Sequence, residues 1–366
     1  MSKLIVITGI TGNQGGSVAN AFLQDSQWRI RGLTRDTSSE GSTALQAKGI
    51  EMVQADLHSR ESLISAFQGA NLIFSVTDFW KPFFNPTNTA LAEKRGISIG
   101  QLCYELEYEQ GKNIVDAAAH PDIFRTLDST GLIASTLSSA RQCSKGKYQH
   151  LYHYDSKANV FPAYLNTSHP ELAKKASYLQ TGYFMSSWNY MPHLWPGKQP
   201  EGAAKKFLVR MATAPDAVQP HLDVNADTGA YVYALAQMEA GQTVMAAGEW
   251  CTWPEWIRKW ASAKGVKEED VGYEEISVEE AAALMGGDFG REVAEMYEYS
   301  SWPGYDGGVP MLKGEDLRKV SCYYPVRREV SWRSDMFRQM GHTIPMTTVE
   351  EYTKKTDWSR ALSVLA

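Results

Sequence analysis

Residues 3–16 read Lys3-Leu-Ile-Val-Ile-Thr-Gly9-Ile-Thr-Gly12-Asn-Gln-Gly15-Gly16. The apolar, β-branched run at 3–8 predicts a buried strand, and Ser17-Val-Ala-Asn-Ala-Phe-Leu23, with Val18, Ala21 and Phe22 at i, i+3 and i+4, predicts a helix. The glycines thus sit where a strand hands over to a helix N-terminus. Free N–H groups and the positive end of the helix dipole make such a turn an anion site. Glycine serves it in three ways: the tight turn, the approach of a pyrophosphate to bare backbone, and close packing of helix on strand. The spacing is GxxGxxG, and a dinucleotide is expected to touch Gly9, Thr11, Gly12, Asn13, Gln14 and Gly15.

The kind of dinucleotide depends on the end of the next strand. Trp28-Arg-Ile-Arg-Gly-Leu-Thr34 predicts that strand, and Arg35-Asp36 follows it directly. An acidic residue about 20 positions beyond the glycines takes the ribose 2′-OH of NAD, whereas an arginine accommodates the 2′-phosphate of NADP. Both types are present, so the signal is mixed. Arg35 holds the first position past the strand and its guanidinium suits a bidentate phosphate contact, which makes NADP(H) the expected cofactor and Asp36 a turn residue.

Composition limits what else the chain does. Its 366 residues are 43% hydrophobic and 21% charged, enough for one large or two modest globular domains. A formal net charge of −6 argues against nucleic acid as a direct partner. No apolar run approaches a membrane span and no charged, apolar leader precedes the first strand, so a cytosolic or nuclear protein is expected. Cys103, Cys143, Cys251 and Cys322 form no CxxC pair, which fits reduced thiols. The 11 Trp and 18 Tyr crowd into the second half.

Along the chain, residues 42–48 predict a short helix and 50–55 a third strand ending in Asp56-Leu57. There the carboxylate would accept from an adenine amino group with Leu57 backbone along the ring; the alternative is a local helix cap, for which Ser59 with Ser62 qualifies. Residues 60–67 predict a helix and 71–77 a fourth strand, whose end, Thr77-Asp78-Phe79-Trp80, is expected to line the ribose and nicotinamide side. Residues 81–95, with two prolines and two asparagines, read as a loop or lid over the site. A long helix is expected at 97–119, with Glu105, Glu107 and Glu109 on a solvated face. Residues 122–127 predict a fifth strand ending in Asp128-Ser-Thr130. A sixth, at 176–179, leads into Thr181-Gly-Tyr183-Phe184, whose backbone would meet the nicotinamide amide. The pattern predicts an α/β fold, a doubly wound parallel Rossmann sheet, over residues 1–190. Pro192 to Pro200 breaks it, and residues 191–366, with short strands at 207–211 and 244–246 and helices at 224–238, 253–260, 278–285, 289–297 and 348–357, predict a smaller α/β domain with some chain crossing back.

Catalytic residues are less plain. A short-chain dehydrogenase carries Tyr-x-x-x-Lys after strand five, lysine holding the ribose and lowering the pKa of a tyrosine acid. Here Tyr152-His153-Tyr154-Asp155-Ser156-Lys157 places His153, not tyrosine, four before Lys157, on one helix face. His153 then either relays a proton near neutral pH or packs as a polar core residue. Lys157 is the expected cofactor ligand. His150 and His153 form an HxxH with no acidic ligand nearby in sequence, so no metal is expected.

These motifs together resemble the NmrA-like family of atypical short-chain dehydrogenases. The residues carrying the likeness are the Gly9–Gly16 loop, Arg35, Thr77-Asp-Phe-Trp80, Gln110-Gly-Lys112, His153-Tyr-x-Asp-x-Lys157 and Gly182-Tyr183-Phe184, with weaker likeness at 249–260 and 348–358. The resemblance implies an N-terminal nucleotide-binding domain, a smaller C-terminal one and a cleft between them. It also implies that Arg35 meets the 2′-phosphate and that Lys112 and Lys157 approach the cofactor. Asp128-Ser-Thr130 departs from the family's usual end of strand five. Family members are either NADPH-dependent reductases of small molecules or redox-sensing regulators acting through a protein partner. The missing tyrosine favours a sensor, whereas an aromatic second half suits a hydrophobic ring substrate and inclines the reading to a reductase.

Overall fold

The computed structural model describes residues 2–191, 194–317 and 346–359; Pro192 and Cys322 lie outside them. The first half alternates strand and helix: β1 (Lys3–Ile7), α1 (Asn13–Phe22), β2 (Trp28–Thr34), α2 (Glu40–Gln46), β3 (Glu51–Gln54), α3 (Arg60–Ala66), β4 (Leu72–Ser75), α4 (Trp80–Phe83), α5 (Pro86–Arg95), α6 (Ile99–Ala118), α7 (Pro121–Phe124), β5 (Leu132–Thr136), α8 (Ala140–Cys143), α9 (Tyr152–Ala158), α10 (Leu165–Ser168), α11 (Pro170–Ala173) and β6 (Ala176–Thr181). The remainder comprises β7 (Tyr183–Phe184), β8 (Gly197–Lys198), β9 (Phe207–Met211), β10 (Gln219–Leu222), α12 (Thr228–Leu235), β11 (Thr243–Ala246), β12 (Glu249–Cys251), α13 (Trp253–Lys264), β13 (Val271–Glu275), α14 (Val278–Met285), α15 (Gly287–Tyr299), β14 (Leu312–Lys313) and α16 (Val349–Lys355).

Eight strands form one parallel sheet in the order β14-β11-β6-β5-β4-β1-β2-β3. This is the doubly wound order, with the order of strand addition reversing between β1 and β4 while all strands stay parallel. β4 and β5 are buried along their whole length because helices cover both faces, and both are mostly apolar, LIFS and LIAST. Two three-stranded sheets, β12-β10-β7 and β13-β9-β8, build the smaller region. β11 and β14, both from beyond residue 190, extend the large sheet from β6. α12 also returns: Gly229 N–H donates to Ser17 Oγ at 2.9 Å, and a Cβ at Gly229 would stand 2.2 Å from the Ser17 carbonyl oxygen, so α12 lies against α1 backbone to backbone.

Two expectations are corrected. The fifth strand is Leu132–Thr136, and the stretch expected to form it begins in the short helix Pro121–Phe124, because Pro121 at the first helical position and the His120 ring accepting from Asp122 N start a helical turn there. Residues 81–95 are not an open loop: Asp78 and Asn85 cap two helices in succession, with Pro86 at the first position of the second. Among the described residues no helix is long and apolar enough to cross a membrane.

Candidate functional site

The sheet's switch point lies between the carboxyl ends of β1 and β4. Thr8 ties them, its hydroxyl donating to Val76 O at 2.9 Å and accepting from Val76 N at 2.8 Å. Just beyond, Gly9 turns the chain with φ +58°. Gly15 is pressed onto that turn, where a Cβ would stand 2.3 Å from Gly9 O. The outer side of the loop is open: Gly9, Thr11, Gly12 and Asn13 are exposed, and Gly12 begins α1 with no side-chain cap on its first N–H groups. Gln14 Oε1 is buried and has no partner among the described residues. An uncapped helix start, bare backbone and an orphaned acceptor fit a pyrophosphate with its flanking hydroxyls.

Arg35 projects from the end of β2, exposed, with no hydrogen-bond or ion-pair partner among the described residues. Asp36 is a turn residue, as expected. Its Oδ1 accepts from Ser38 N at 2.8 Å and Ser38 Oγ at 2.6 Å, bonds that hold its carboxyl below the usual range. At the end of β3, Asp56 Oδ1 accepts from His58 N at 3.0 Å, while Ser59 Oγ caps α3 at Ser62 N, 3.2 Å away. Leu57 O accepts from Asn113 Nδ2 at 3.1 Å. Asp56 is thus exposed at the strand end but already engaged in its own turn.

The end of β4 carries the most heavily built part of the crevice. Thr77 Oγ1 donates to Glu107 Oε1 at 2.7 Å, and Lys157 Nζ donates to the same oxygen at 2.7 Å and to Glu107 Oε2 at 2.9 Å. Ser156 Oγ donates to Glu107 Oε2, and Lys157 Nζ also reaches His153 O at 3.2 Å. Glu107 is 2% exposed. It was expected on a solvated face; instead it lies on the buried side of α6 with Cys103, Gly111 and Ile114. That 4-4-3 spacing was readable in the sequence, and the acidic neighbours Glu105 and Glu109 obscured it.

Other expected site residues go elsewhere. Asp78 Oδ1 caps α4 through Trp80 N and Lys81 N at 3.0 and 3.1 Å. Phe79 is buried against Trp80, Phe83 and His153 rather than lining an opening. Lys112 pairs with Asp116 at 2.9 Å on its own helix, and Asp116 is shared with Tyr164 and His169, so nothing joins Lys112 to Lys157. Tyr183 is buried against Tyr305 and Trp253, and burial raises its hydroxyl well above the usual range. Phe184 is half-buried in β7, which pairs with β10.

His153 is also closed in. Its Nδ1 lies 2.6 Å from Glu292 Oε1, the same oxygen accepts its backbone N–H at 2.8 Å, and Trp80 covers the ring at 5.0 Å between centroids. Burial, with a smaller contribution from Lys157, holds the imidazole well below its ordinary value, which favours the polar core reading of His153 over the relay. Glu292, buried in turn, is pushed up. His150 pairs with a different carboxylate, Glu295, at 2.6 Å, and among the described residues no group of three His, Cys, Asp or Glu is placed to hold a metal.

The sequence matches the NmrA-like family over residues 1–352. The chain belongs to the NmrA-like family. It is 34% identical over 135 residues to FrzB of Cladobotryum sp, an NmrA-like family domain-containing oxidoreductase, a match covering 36% of this chain and 34% of that protein. It is 33% identical over 139 residues to lnaB of Aspergillus flavus, described in the same words, covering 38% and 37%. These alignments span little more than a third of each curated relative. In fold, the chain resembles NmrA, a negative transcriptional regulator solved in complex with NADP, with TM-score 0.64 at 15% identity over 100% of this chain and 98% of that one. It also resembles Citrobacter sp. triphenylmethane reductase complexed with NADP(H), with TM-score 0.60 at 18% identity over 96% and 99%.

In this NmrA-like chain strand five ends elsewhere than expected: β5 leads into Leu137-Ser138-Ser139 and not into Asp128-Ser-Thr130. Ser138 Oγ lies 2.8 Å from Tyr299 OH, and Ser139 Oγ donates to Asp155 at 3.4 Å. Four tryptophans of the second half, Trp195, Trp253, Trp256 and Trp260, are fully buried core and not cleft wall. A cleft of about 430 Å³ does open between α6 and α8–α9, walled by Tyr104, Arg141, Tyr152, Asp155 and Asn159.

Proposed function

We propose that this chain is an NADP(H)-dependent oxidoreductase that reduces a hydrophobic, ring-containing small molecule. The observation that carries it is the lysine node: Lys157 shares the Glu107 carboxylate with Thr77, just past the end of β4, the strand that pairs with β1. On this reading the loop from Gly9 to Gly15 holds the pyrophosphate, Arg35 binds the 2′-phosphate, and Lys157 with Thr77 orients the nicotinamide ribose. Bound NADPH would supply a hydride. The names of FrzB and lnaB, both oxidoreductases, support turnover. The ring class of substrate rests on the aromatic rim beside His153, where Trp80, half-buried, stacks on the exposed Phe84 and meets Phe289 edge-on. His153, tied to Glu292, supports Lys157 through its carbonyl rather than by titrating.

A second reading, a redox-sensing regulator that binds NADP(H) without turnover and acts through a protein partner, draws on the closure of His153 under Trp80. The test is single-turnover oxidation of bound NADPH against a panel of aromatic ketones, enones and imines, with wild type and Lys157→Ala side by side. Turnover lost in Lys157→Ala supports the reductase. No oxidation across the panel, with a partner captured in the presence of NADPH but not NADP⁺, overturns it in favour of the sensor.

A further inference from the structure

The N-terminus of α9, the helix that carries Lys157, has no cap of its own. Its N-cap position is Leu151, and no side chain of the helix meets the leading N–H groups. One of those groups, His153 N, and two N–H groups in the turn just before the helix are met from far along the chain. Glu295 Oε2 accepts from Gln149 N at 3.2 Å and His150 N at 2.9 Å, and Glu292 Oε1 accepts from His153 N at 2.8 Å. Both carboxylates come from α15 and are 3% and 1% exposed. Each also grips a ring: Glu295 Oε1 lies 2.6 Å from His150 Nδ1, and Glu292 Oε1 lies 2.6 Å from His153 Nδ1. Arg291 Nε, at 2.9 Å from Glu295 Oε1, steadies the outer carboxylate.

We infer that Glu292 and Glu295 are positioning residues that fix the register and direction of α9, and through it the place of the Lys157 ammonium. A run of only seven residues is too short to hold its own shape without partners at its ends. The contacts run without a gap: Glu292 holds the backbone N–H and ring of His153, and His153 O holds Lys157 Nζ at 3.2 Å. Carboxylates at a helix start also meet the positive end of its dipole. The C-terminal region thereby sets the geometry of a group on the opposite side of the crevice. For Lys157 as a cofactor ligand this rests on the reading above; for the shape of α9 it does not.

The experiment pairs two measurements on the full chain. Hydrogen exchange of a peptide spanning residues 149–157 is compared in wild type, Glu292→Ala, Glu295→Ala and Glu292→Gln, whose amide oxygen can still accept from His153 N. Exchange there should quicken about tenfold or more in the two alanine variants, stay near wild type in Glu292→Gln, and be unchanged in β1 and β4. NADPH affinity is then measured for Glu292→Ala, Lys157→Ala and the double variant. A positioning residue that acts through Lys157 should weaken binding about five- to fiftyfold alone but less than about twofold when Lys157 is already alanine. Unchanged exchange at 149–157, or full additivity in the double variant, overturns the inference. If exchange quickens locally while Lys157→Ala leaves NADPH binding untouched, the assignment of Lys157 to the cofactor fails and the positioning of α9 by α15 stands.

Discussion

Replacing Glu107 by alanine tests the centre of the site. The carboxylate is 2% exposed and accepts from Lys157 Nζ, Thr77 Oγ1 and Ser156 Oγ, with Lys157 itself only 13% exposed at its side chain. Alanine leaves an ammonium and two hydroxyls facing a void. Stranding one partner of a buried pair costs about 3–5 kcal/mol, and this far exceeds the half kilocalorie or so that a solvated glutamate on a helix face would contribute. Urea unfolding followed by circular dichroism should therefore show a loss of about 3–5 kcal/mol in Glu107→Ala. The double variant Glu107→Leu with Lys157→Met should recover at least half of it, because a well-packed apolar pair replaces the ionic one. NADPH binding should remain lost in that double variant, which separates the lysine's work on the ligand from its work on the fold. A loss below about 1 kcal/mol in Glu107→Ala would refute the argument, since the node would then be a hydrated surface pair.

Arg35→Ala should weaken NADPH by about 1.5–3 kcal/mol and NADH little, because the guanidinium has no protein partner to lose; equal losses in titration calorimetry would remove it from the 2′-phosphate. Gly15→Ala should destabilise the fold and abolish dinucleotide binding, since its Cβ meets backbone at 2.3 Å, whereas Gly12→Ala, at 3.3 Å from Gly9 O, should fold normally and lose affinity alone; thermal melts and NADPH fluorescence separate the two. Burial lifts Asp227 to about 6 from an unfolded value of 3.8, so the folded chain binds the extra proton between these values and stability from this group falls as pH rises from about 4 to 6. Asp227→Asn should flatten that part of the urea-midpoint profile by on the order of 1–3 kcal/mol, and identical profiles for the two proteins would count against it.

The glycine turn, the place of Arg35 at the end of the second strand and the first four strands were legible because each is a local pattern: a strand, a turn that demands glycine, a helix, repeated. The fifth strand was misplaced because residues 122–127 hold the strand-prone types Ile123, Phe124 and Thr126, and only Pro121 and His120 reveal the helical turn. The helices at 80–95 were hidden by their prolines, although Asn85-Pro86 is a readable helix start. Glu107 could be found by counting along α6. Glu292 and Glu295 could not, because their partners lie about 140 positions away and only the folded chain brings α15 to α9. The aromatic second half misled for a related reason: tryptophans four apart mark a buried helix face as readily as a ligand wall.

The position of β11 and β14 bears on how the protein is made. β6 is complete at residue 181, but the strand that covers its free edge is residues 243–246, itself flanked by residues 312–313. At about 5–20 residues per second, a ribosome needs roughly 3–13 s to supply the first of them. Throughout that interval the nascent sheet presents an unpaired row of amides and carbonyls, a template for any neighbouring extended chain. A stop codon between residues 190 and 243 would fix the chain in that state, so truncation there yields an aggregating fragment and not a free-standing nucleotide-binding unit.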